Sequence, residues 1–302
     1  MSVTWAAELK AVLPEAKLDE PLAKYTTFRI GGSADAFLEL KTREALSRAL
    51  SFCRDRGLPF MALGFGSNLL VRDGGVRGVV ARLRGEFEAV EFLPGGRVRA
   101  GAGARVPQLV TLCAERGLSG PEPIVGVPGT VGGALVMNAG TREGEIGPLV
   151  ESVEAVDLET LALRRLPASE LRFEYRRSNL QNVVVTAVTL LLKPGVKADI
   201  MGRVQKLQQR RLQTQPIHTF NVGSTFKNPP GKFAAQMIEE LGLKGHRVGG
   251  ARVSPMHANF IENFDKASAA DVLALVAELR EKVRGRFGVA LELEMKIVGE
   301  DA

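Results

Sequence analysis

The sequence predicts an α+β protein with more than one domain. Its 302 residues exceed the usual size of a single domain, so two or three domains are expected. Short runs rich in β-branched residues alternate with two helical patterns over roughly the first two hundred residues. From Lys197 onward helical patterns dominate. We therefore place a domain boundary near residue 195.

The first part of the chain combines strand patterns with helix patterns. Strands are expected in "RGVVARL", "GRVRAGAG" and "NVVVTAVTLLLK", where β-branched residues concentrate. Helices are expected in "TREALSRALSFCRDRG" and "VPQLVTLCAERG", whose apolar residues recur at helical spacing. Glycine is dense between these elements.

The last third of the chain contains three helix patterns. The first is "KADIMGRVQKLQQRRLQ", and the second is "GKFAAQMIEELG", which Gly242 ends. The third, "SAADVLALVAELREKVRGRFG", begins with a capping box of Ser268 and Asp271. Its predicted apolar face consists of Val272, Leu275, Val276, Leu279 and Val283.

Composition and charge exclude several classes of protein. The net charge of +6, from 40 basic and 34 acidic residues, suits an anionic ligand but is too dispersed to indicate nucleic-acid binding. No leader pattern and no membrane span are evident, so a cytoplasmic protein without a membrane partner is expected. Cys53 and Cys113 are isolated, which predicts two core residues and neither a disulfide nor a metal site.

Three glycine-rich stretches carry the first chemical signal. They begin at Thr26, Ala62 and Gly126 and contain "RIGGS", "GFGSN" and "GVPGTVGG". Glycine lets the backbone approach a ligand closely, so that successive N–H groups converge on a phosphate. Neither a Rossmann fingerprint nor a P-loop is present, and one such stretch alone is typical of a plain turn. Two glycine loops some sixty residues apart nevertheless favour a long diphosphate cofactor lying across two small subdomains.

Six motifs in order resemble one known family. From about Tyr25 to Gly299 the chain is similar to the UDP-N-acetylenolpyruvoylglucosamine reductases (MurB), and its length matches their shorter type II subgroup. The motifs are "YTTFRIGG", "LGFGSNLLVRDGG", "GVPGTVGGALVMNAG", "FEYRRSNL", "GSTFKNPPGKFAAQMIEELGLKGHRVGGARVSPMHANFIEN" and "LELEMKIVG".

The resemblance implies a fold and two cofactors. FAD would be held by two subdomains of the vanillyl-alcohol-oxidase (PCMH) type, residues 1–84 and 85–195, and NADPH would be the reductant. An α+β substrate-binding domain would follow over residues 196–302, with its last strand able to return to the FAD-binding region. The residues expected to bind FAD are Gly64, Gly66, Ser67, Asn68, Gly126, Pro128, Gly129, Thr130, Gly132, Gly133 and Asn138.

The resemblance also implies a reaction, the UDP-N-acetylmuramate dehydrogenase step of peptidoglycan synthesis. Hydride from reduced flavin would reach the methylene carbon of UDP-N-acetylglucosamine enolpyruvate, the small-molecule substrate. Ser224 matches the proton donor, Arg176 the arginine that binds the substrate carboxylate, and Glu294 the acidic residue near the enolate. The residues expected to bind substrate are Tyr175, Gln215, Lys227 and Asn228.

Each catalytic assignment has a competitor. Serine near proline and glycine is commonly a turn or helix cap, and Arg177 lies beside Arg176. Glu292 is expected on the same strand face as Glu294, in a run that is usually a solvated edge strand. Motif register favours Ser224, Arg176 and Glu294.

Some residues depart from the family pattern, and the sequence also allows an alternative function. Thr141 and Arg142 stand where Ala-Tyr is usual, and Met256 stands where lysine is frequent. His246 and His257 are expected to be structural. A flavin-dependent oxidase on the same fold is the alternative function, while a serine hydrolase lacks both GxSxG and a histidine partner. A monomer is expected.

Overall fold

The computed structural model describes residues 5–302, so the first four residues of the predicted segment 1–84 lie outside it. The described part of the chain combines helices and strands, as expected for an α+β protein. The helices are α1 Ala6–Val12, α2 Arg43–Asp55, α3 Val106–Glu115, α4 Val131–Val136, α5 Lys197–Thr214, α6 Ala234–Glu240 and α7 Ala269–Phe287.

The strands are short on average. They are β1 Lys17–Pro21, β2 Ser33–Leu40, β3 Phe60–Ala62, β4 Leu69–Val71, β5 Val76–Leu83, β6 Val90–Leu93, β7 Arg97–Gly101, β8 Leu118–Ser119, β9 Gly140–Thr141, β10 Gly144–Glu145, β11 Val150–Asp157, β12 Leu163–Pro167, β13 Phe173–Glu174, β14 Arg177–Ser178, β15 Val183–Leu191, β16 Lys193–Pro194, β17 Arg247–Val248, β18 Ala251–Val253, β19 Ile261–Asn263 and β20 Lys296–Val298.

The chain divides into two compact units, each built from separate stretches of sequence. The ranges of unit 1 are Met1–Leu18, Ala36–Phe65 and Gly78–Arg210. The ranges of unit 2 are Asp19–Asp35, Gly66–Arg77 and Arg211–Ala302. The predicted limits at 84/85 and 195/196 stay predictions.

The main sheet of unit 1 is five-stranded and antiparallel, in the order β12-β11-β15-β7-β6. Its central strand β15 is buried at seven consecutive positions, since Val184 and Val188 pack into different hydrophobic clusters. Strands buried on both faces read as continuous apolar runs, which explains "VVVTAVTLL". Cys53 and Cys113 are core residues of these clusters, and burial raises their thiol pKa values to about 11 and about 12.

Unit 2 has its own core around helix α7. Ser268 and Asp271 form the predicted capping box, and Gly288 ends the helix in the left-handed conformation. The predicted apolar face of α7 is buried throughout, against a small sheet of order β17-β18-β19. Strand β20 pairs in parallel with β4, with Lys296 opposite Leu69.

The structure differs from the sequence-based expectation in two places. The third glycine-rich stretch is partly helical, because Thr130 caps α4 by accepting a hydrogen bond from the Gly133 N–H. The run "LELEM" is not a regular strand, because β20 begins only at Lys296. The expectation that Glu292 and Glu294 share one strand face was therefore wrong.

No helix in the described part of the chain combines the length and the apolar character needed to cross a membrane.

Candidate active site

Ser224 lies in unit 2, in a backbone segment that forms hydrogen bonds with Asn259 on one side. The backbone of Ser224 is bridged to Phe260, and the Thr225 N–H donates to the Asn259 carbonyl at 2.8 Å. The buried Asn259 side chain accepts from the Phe226 N–H at 3.0 Å and donates to the Phe226 carbonyl at 2.8 Å. Ser224 itself is half-buried. Its position is therefore fixed by main-chain hydrogen bonds, which leave the hydroxyl group outside the ladder.

Glu294 is attached to the other side of the same segment. The N–H groups of Glu294 and Met295 donate to the Thr225 carbonyl at 2.9 and 3.3 Å. The Asn68 side chain donates to the Glu294 carbonyl at 3.1 Å, and the Asn68 carbonyl accepts from Lys296 at 3.0 Å. The structure thus brings the predicted proton donor, the predicted acid and one predicted cofactor residue into a single hydrogen-bonded network.

The competing carboxylate, Glu292, has a different environment. Its side chain is 76% exposed and forms an ion pair with Lys227, with 3.3 Å between Nζ and Oε2. Its carbonyl accepts the Lys227 N–H at 2.8 Å. Glu294 is half-buried beside Thr225, so the environment favours Glu294 over Glu292 as the acid.

Three predicted substrate residues lie in unit 2. Asn228 accepts the Ala234 N–H at 3.1 Å and so satisfies the first N–H group of α6. Gln215 is half-buried just after α5, and its N–H donates to the Arg211 carbonyl at 2.9 Å. Lys227 is held near Glu292 as described, so each of the three has a defined backbone position.

Arg176 belongs to unit 1 and lies in the two-residue turn of the β13–β14 hairpin. Its φ of 58° is positive, which is uncommon for a residue other than glycine. Its guanidinium donates to the Gly140 carbonyl at 3.0 Å, lies 3.9 Å from a Glu145 carboxylate oxygen and 4.9 Å from the Tyr175 ring centroid. Its side chain is 16% exposed, whereas the neighbouring Arg177 is an exposed strand residue.

Asn138 is the buried residue that organises the surroundings of Arg176. Its side-chain amide donates to Glu145 at 2.6 Å and to the Glu174 carbonyl at 3.0 Å, and its oxygen accepts the Gly147 N–H at 3.0 Å. The amide group is thus fully engaged within the protein. A role of Asn138 toward FAD stays a prediction, and its hydrogen bonds connect Glu145 and Gly147 with the Arg176 hairpin.

The "GFGSN" loop requires glycine at Gly66. Its φ is 71°, and a Cβ atom there would lie 2.3 Å from the Tyr25 carbonyl oxygen. The Gly66 carbonyl accepts the Thr27 N–H at 3.1 Å, and the Thr27 hydroxyl donates to the Asn221 carbonyl at 2.6 Å. Thr27 therefore connects two of the motifs, inside unit 2, with Asn221, which lies two residues before the "GSTFKN" motif. Ser67, the next residue, is half-buried.

The glycine-rich segments of unit 1 form a close backbone cradle. A Cβ atom on Gly64 would lie 2.7 Å from the Thr130 hydroxyl, and one on Gly132 would lie 2.9 Å from Ala102 Cβ. The Val106 N–H donates to the Gly129 carbonyl at 3.0 Å. The other predicted residues of this segment are the half-buried Gly126 and Pro128 and the exposed Gly133. A side chain at Gly64 or Gly132 would crowd this cradle, and backbone that a ligand can approach closely suits a diphosphate, so the residues fit FAD.

Sequence reasoning missed Asn259, Glu145 and Thr27. Asn259 lies in the quoted "HANF" motif, but nothing in the sequence indicates that its amide pairs with both backbone groups of Phe226. Glu145 is identified only by its hydrogen bond with Asn138, and Thr27 only by its hydrogen bond to the Asn221 carbonyl, both of which depend on the folded chain. Of the histidines, His246 pairs with Glu278 at 2.9 Å and His257 packs on Phe260, as expected for structural residues.

Two protein families match this chain. Residues 34–161 match the FAD binding domain family, and residues 215–298 match the C-terminal domain of UDP-N-acetylenolpyruvoylglucosamine reductase. The order of these matches confirms the predicted combination of a PCMH-type FAD-binding fold with a separate C-terminal domain.

Full-length relatives give the same result. The UDP-N-acetylenolpyruvoylglucosamine reductase of Moorella thermoacetica is 46% identical over 285 residues, covering 93% of each chain. That of Anaeromyxobacter dehalogenans is 43% identical over 300 residues, covering 99% of this chain and 90% of the relative. The crystal structure of the reductase (MurB) from Thermus caldophilus aligns with a TM-score of 0.81 at 41% identity, covering 94% of this chain and 98% of that one.

Proposed function

Because the chain belongs to the UDP-N-acetylenolpyruvoylglucosamine reductase family, we propose that it reduces UDP-N-acetylglucosamine enolpyruvate to UDP-N-acetylmuramate, with NADPH as the reductant. The chain is a flavoenzyme of this family, and FAD is its cofactor. The reaction supplies peptidoglycan synthesis, and we place the enzyme in the cytoplasm as a monomer. The observation that carries the proposed chemistry is the hydrogen bond from the Glu294 N–H to the Thr225 carbonyl, which holds Glu294 beside Ser224.

Ser224 is the proposed proton donor. When bound, FAD would supply the hydride for the substrate, and NADPH would be the source of that hydride. The Ser224 hydroxyl holds a proton for the substrate carbon that carries the ether oxygen and the carboxylate. A hydroxyl is a weak acid, but an enolate is a strong enough base to take its proton when the two are correctly placed. The main-chain ladder around Thr225 supports this role because it fixes the position of Ser224.

Arg176 is the proposed anchor for the substrate carboxylate. A guanidinium binds a carboxylate through two parallel hydrogen bonds and stabilises negative charge that develops there. The hairpin turn, the Gly140 carbonyl and the Tyr175 ring hold this guanidinium in one direction. Its partial burial strengthens the interaction with an incoming anion.

Glu294 is the proposed acidic partner of Ser224. Its backbone is fixed by Thr225 and Asn68, so its carboxyl group has a limited range of positions near the serine. Tyr175, Gln215, Lys227 and Asn228 are proposed to bind the remainder of the nucleotide sugar. Lys227 suits a diphosphate because its present partner, Glu292, is exposed and easily replaced.

Substituting Ser224 separates the two half-reactions. In Ser224→Ala, NADPH reduces the flavin at the wild-type rate, whereas reoxidation by the enolpyruvyl substrate slows by about a thousandfold or more because the proton donor is lost. Anaerobic stopped-flow absorbance of the flavin measures both steps.

Ser268→Ala is the matched control, because it removes a serine that caps α7 and lies outside the proposed site. It is expected to lower stability by about 1 kcal/mol and to leave reoxidation unchanged. Unchanged reoxidation in Ser224→Ala would remove Ser224 from the acid role. Rapid reoxidation of the wild-type flavin by oxygen, with none by the enolpyruvyl substrate, would instead establish the alternative, a flavin-dependent oxidase.

A further inference from the structure

Arg105 occupies a junction in unit 1 that none of the sequence motifs identified. It directly precedes α3, and its backbone is bridged to Thr130 of the "GTVGG" segment. Its guanidinium stacks on the Phe65 ring, with 3.5 Å between Cζ and the ring centroid. Phe65 follows Gly64, the residue whose missing side chain allows close approach to Thr130. Arg105 therefore contacts both glycine-rich segments at once.

Within the described residues, the positive charge of Arg105 is not neutralised. Its Nε atom is buried and has no hydrogen-bond partner, and no carboxylate forms an ion pair with Arg105 among residues 5–302. Burial, and then the nearby Arg84, lower the pKa of the guanidinium. Arg84 is itself paired with Glu88, at 2.7 Å between nitrogen and oxygen. A partly buried cation without a compensating charge is unfavourable, so the arrangement suits an external anion that would neutralise it.

We infer that Arg105 binds the diphosphate of FAD. This inference rests on the proposed function only in that FAD is the cofactor of the chain. Stacking on Phe65 holds the guanidinium plane, and arginine forms paired hydrogen bonds with phosphate oxygens through the edge of that plane. The glycine cradle supplies backbone approach, and Arg105 supplies the charge that glycine cannot supply.

A titration of apoprotein tests this assignment without any turnover. FAD is removed from wild type and from Arg105→Met, and each apoprotein is titrated with FAD and with riboflavin, which lacks phosphate. Loss of a charge-assisted phosphate contact is expected to weaken FAD binding about 10- to 100-fold and to change riboflavin binding less than about twofold. The salt dependence of FAD affinity should also decrease, because one ionic contact is missing.

Arg116→Met is the matched control. Arg116 also stacks on an aromatic ring, with 3.9 Å between its Cζ and the Phe92 ring centroid. It lies at the opposite end of α3 from Arg105, and its guanidinium donates to the Leu112 carbonyl. Its FAD affinity should equal that of wild type. Arg105→Lys keeps the charge and loses the planar fork, so it should bind FAD with intermediate affinity; this second variant keeps the test decisive if the methionine variant is poorly folded.

Three outcomes would overturn the inference. One is unchanged FAD affinity in Arg105→Met, and another is an equal loss for FAD and riboflavin, which would mean that Arg105 only packs. The third is a raised KM for NADPH or for the nucleotide sugar with FAD affinity unchanged, because the anion would then be a substrate phosphate. A wild-type protein that binds FAD but does not reduce the enolpyruvyl substrate would disprove the proposed function and leave this inference standing.

Discussion

The two units hold their proposed catalytic residues in contrasting ways. In unit 2, Ser224 and Glu294 are placed by main-chain hydrogen bonds that pass through Thr225 and Asn259. In unit 1, Arg176 is placed by an unfavourable backbone conformation, with φ at 58°, and by contacts of its own side chain. The first arrangement resembles the ladder of a small sheet, and the second is a strained turn.

The contrast has an energetic meaning. A residue held by main-chain bonds can lose its side chain while the surrounding geometry persists, so Ser224 variants should fold like wild type. A residue other than glycine in the left-handed region costs about 1 kcal/mol or more, so such a residue persists only where the rest of the structure stabilises it. At Arg176, a glycine substitution should therefore remove activity while it relieves backbone strain. At Asn259, whose side chain supports the main chain itself, a substitution should lower activity and stability together.

Among the substitutions that test this contrast, the largest expected effect is at Arg176. Both Arg176→Gly and Arg176→Ala should lower kcat/KM for the enolpyruvyl substrate by about a thousandfold, because the paired contacts to the carboxylate are lost. The glycine variant should be about 1 kcal/mol more stable than the alanine variant, because only glycine adopts a φ of 58° without strain. Steady-state kinetics and urea unfolding measure the two quantities.

Arg177→Ala is the control for this pair, since the neighbouring arginine is exposed on β14. It should keep kcat/KM within about threefold of wild type, as expected for a surface substitution. If Arg177→Ala were the inactive variant, the motif register would be wrong. If the glycine and alanine variants were equally stable, the turn would not store strain.

A smaller effect, on both stability and rate, is expected at Asn259. Asn259→Ala leaves the N–H and the carbonyl of Phe226 buried without partners, which should cost about 3 kcal/mol of unfolding free energy. Flavin reoxidation should slow by about 10- to 100-fold, because Ser224 loses its support and a small misplacement is costly in catalysis. Flavin reduction by NADPH should stay within about twofold of wild type.

Asn263 offers the comparison within the same unit. Its amide also bonds to backbone, by donating to the Phe28 and Arg29 carbonyls and accepting the Ala267 N–H, but none of these bonds reaches residues 224–226. Asn263→Ala should lose stability and keep the reoxidation rate. Equal slowing in both variants would show that Asn259 acts through general stability and not by positioning Ser224.

The sequence predicted much of this arrangement, and the parts it missed have physical reasons. Helix α7 was predicted from its capping box and apolar periodicity, because both are local signals. The alternation in "LELEM" predicted a strand, but main-chain bonds to Thr225 and Lys227 hold this segment in an irregular conformation instead. Such long-range pairing does not produce a periodic pattern in the sequence.

The strained turn and the Arg105 junction were also hidden from sequence. "YRRS" contains neither glycine nor asparagine, so nothing in it indicates that Arg176 adopts a positive φ. The stacking of Arg105 on Phe65 joins residues forty positions apart, which only the folded chain brings together. Motifs thus identified which residues matter, while the tertiary structure determined how each is held.

The smallest expected effect is at Glu145, whose carboxylate lies 3.9 Å from the Arg176 guanidinium and accepts the Asn138 amide at 2.6 Å. Glu145→Gln keeps an acceptor for Asn138 and removes the negative charge that competes with the substrate carboxylate for Arg176. The KM for the enolpyruvyl substrate should fall about two- to fivefold with kcat unchanged, the size expected for a partly exposed ion pair.

Glu143→Gln is the matched control, because Glu143 lies in the turn of the same β9–β10 hairpin but pairs with Arg210 at 2.7 Å. Its KM should equal that of wild type, since this carboxylate does not contact Arg176. A raised KM in Glu145→Gln would mean that the carboxylate orients Arg176 for the substrate and does not compete with it. Unit 1 would then hold its catalytic residue by a network as extensive as the one around Ser224, and the contrast between the two units would reduce to the strain at Arg176 alone.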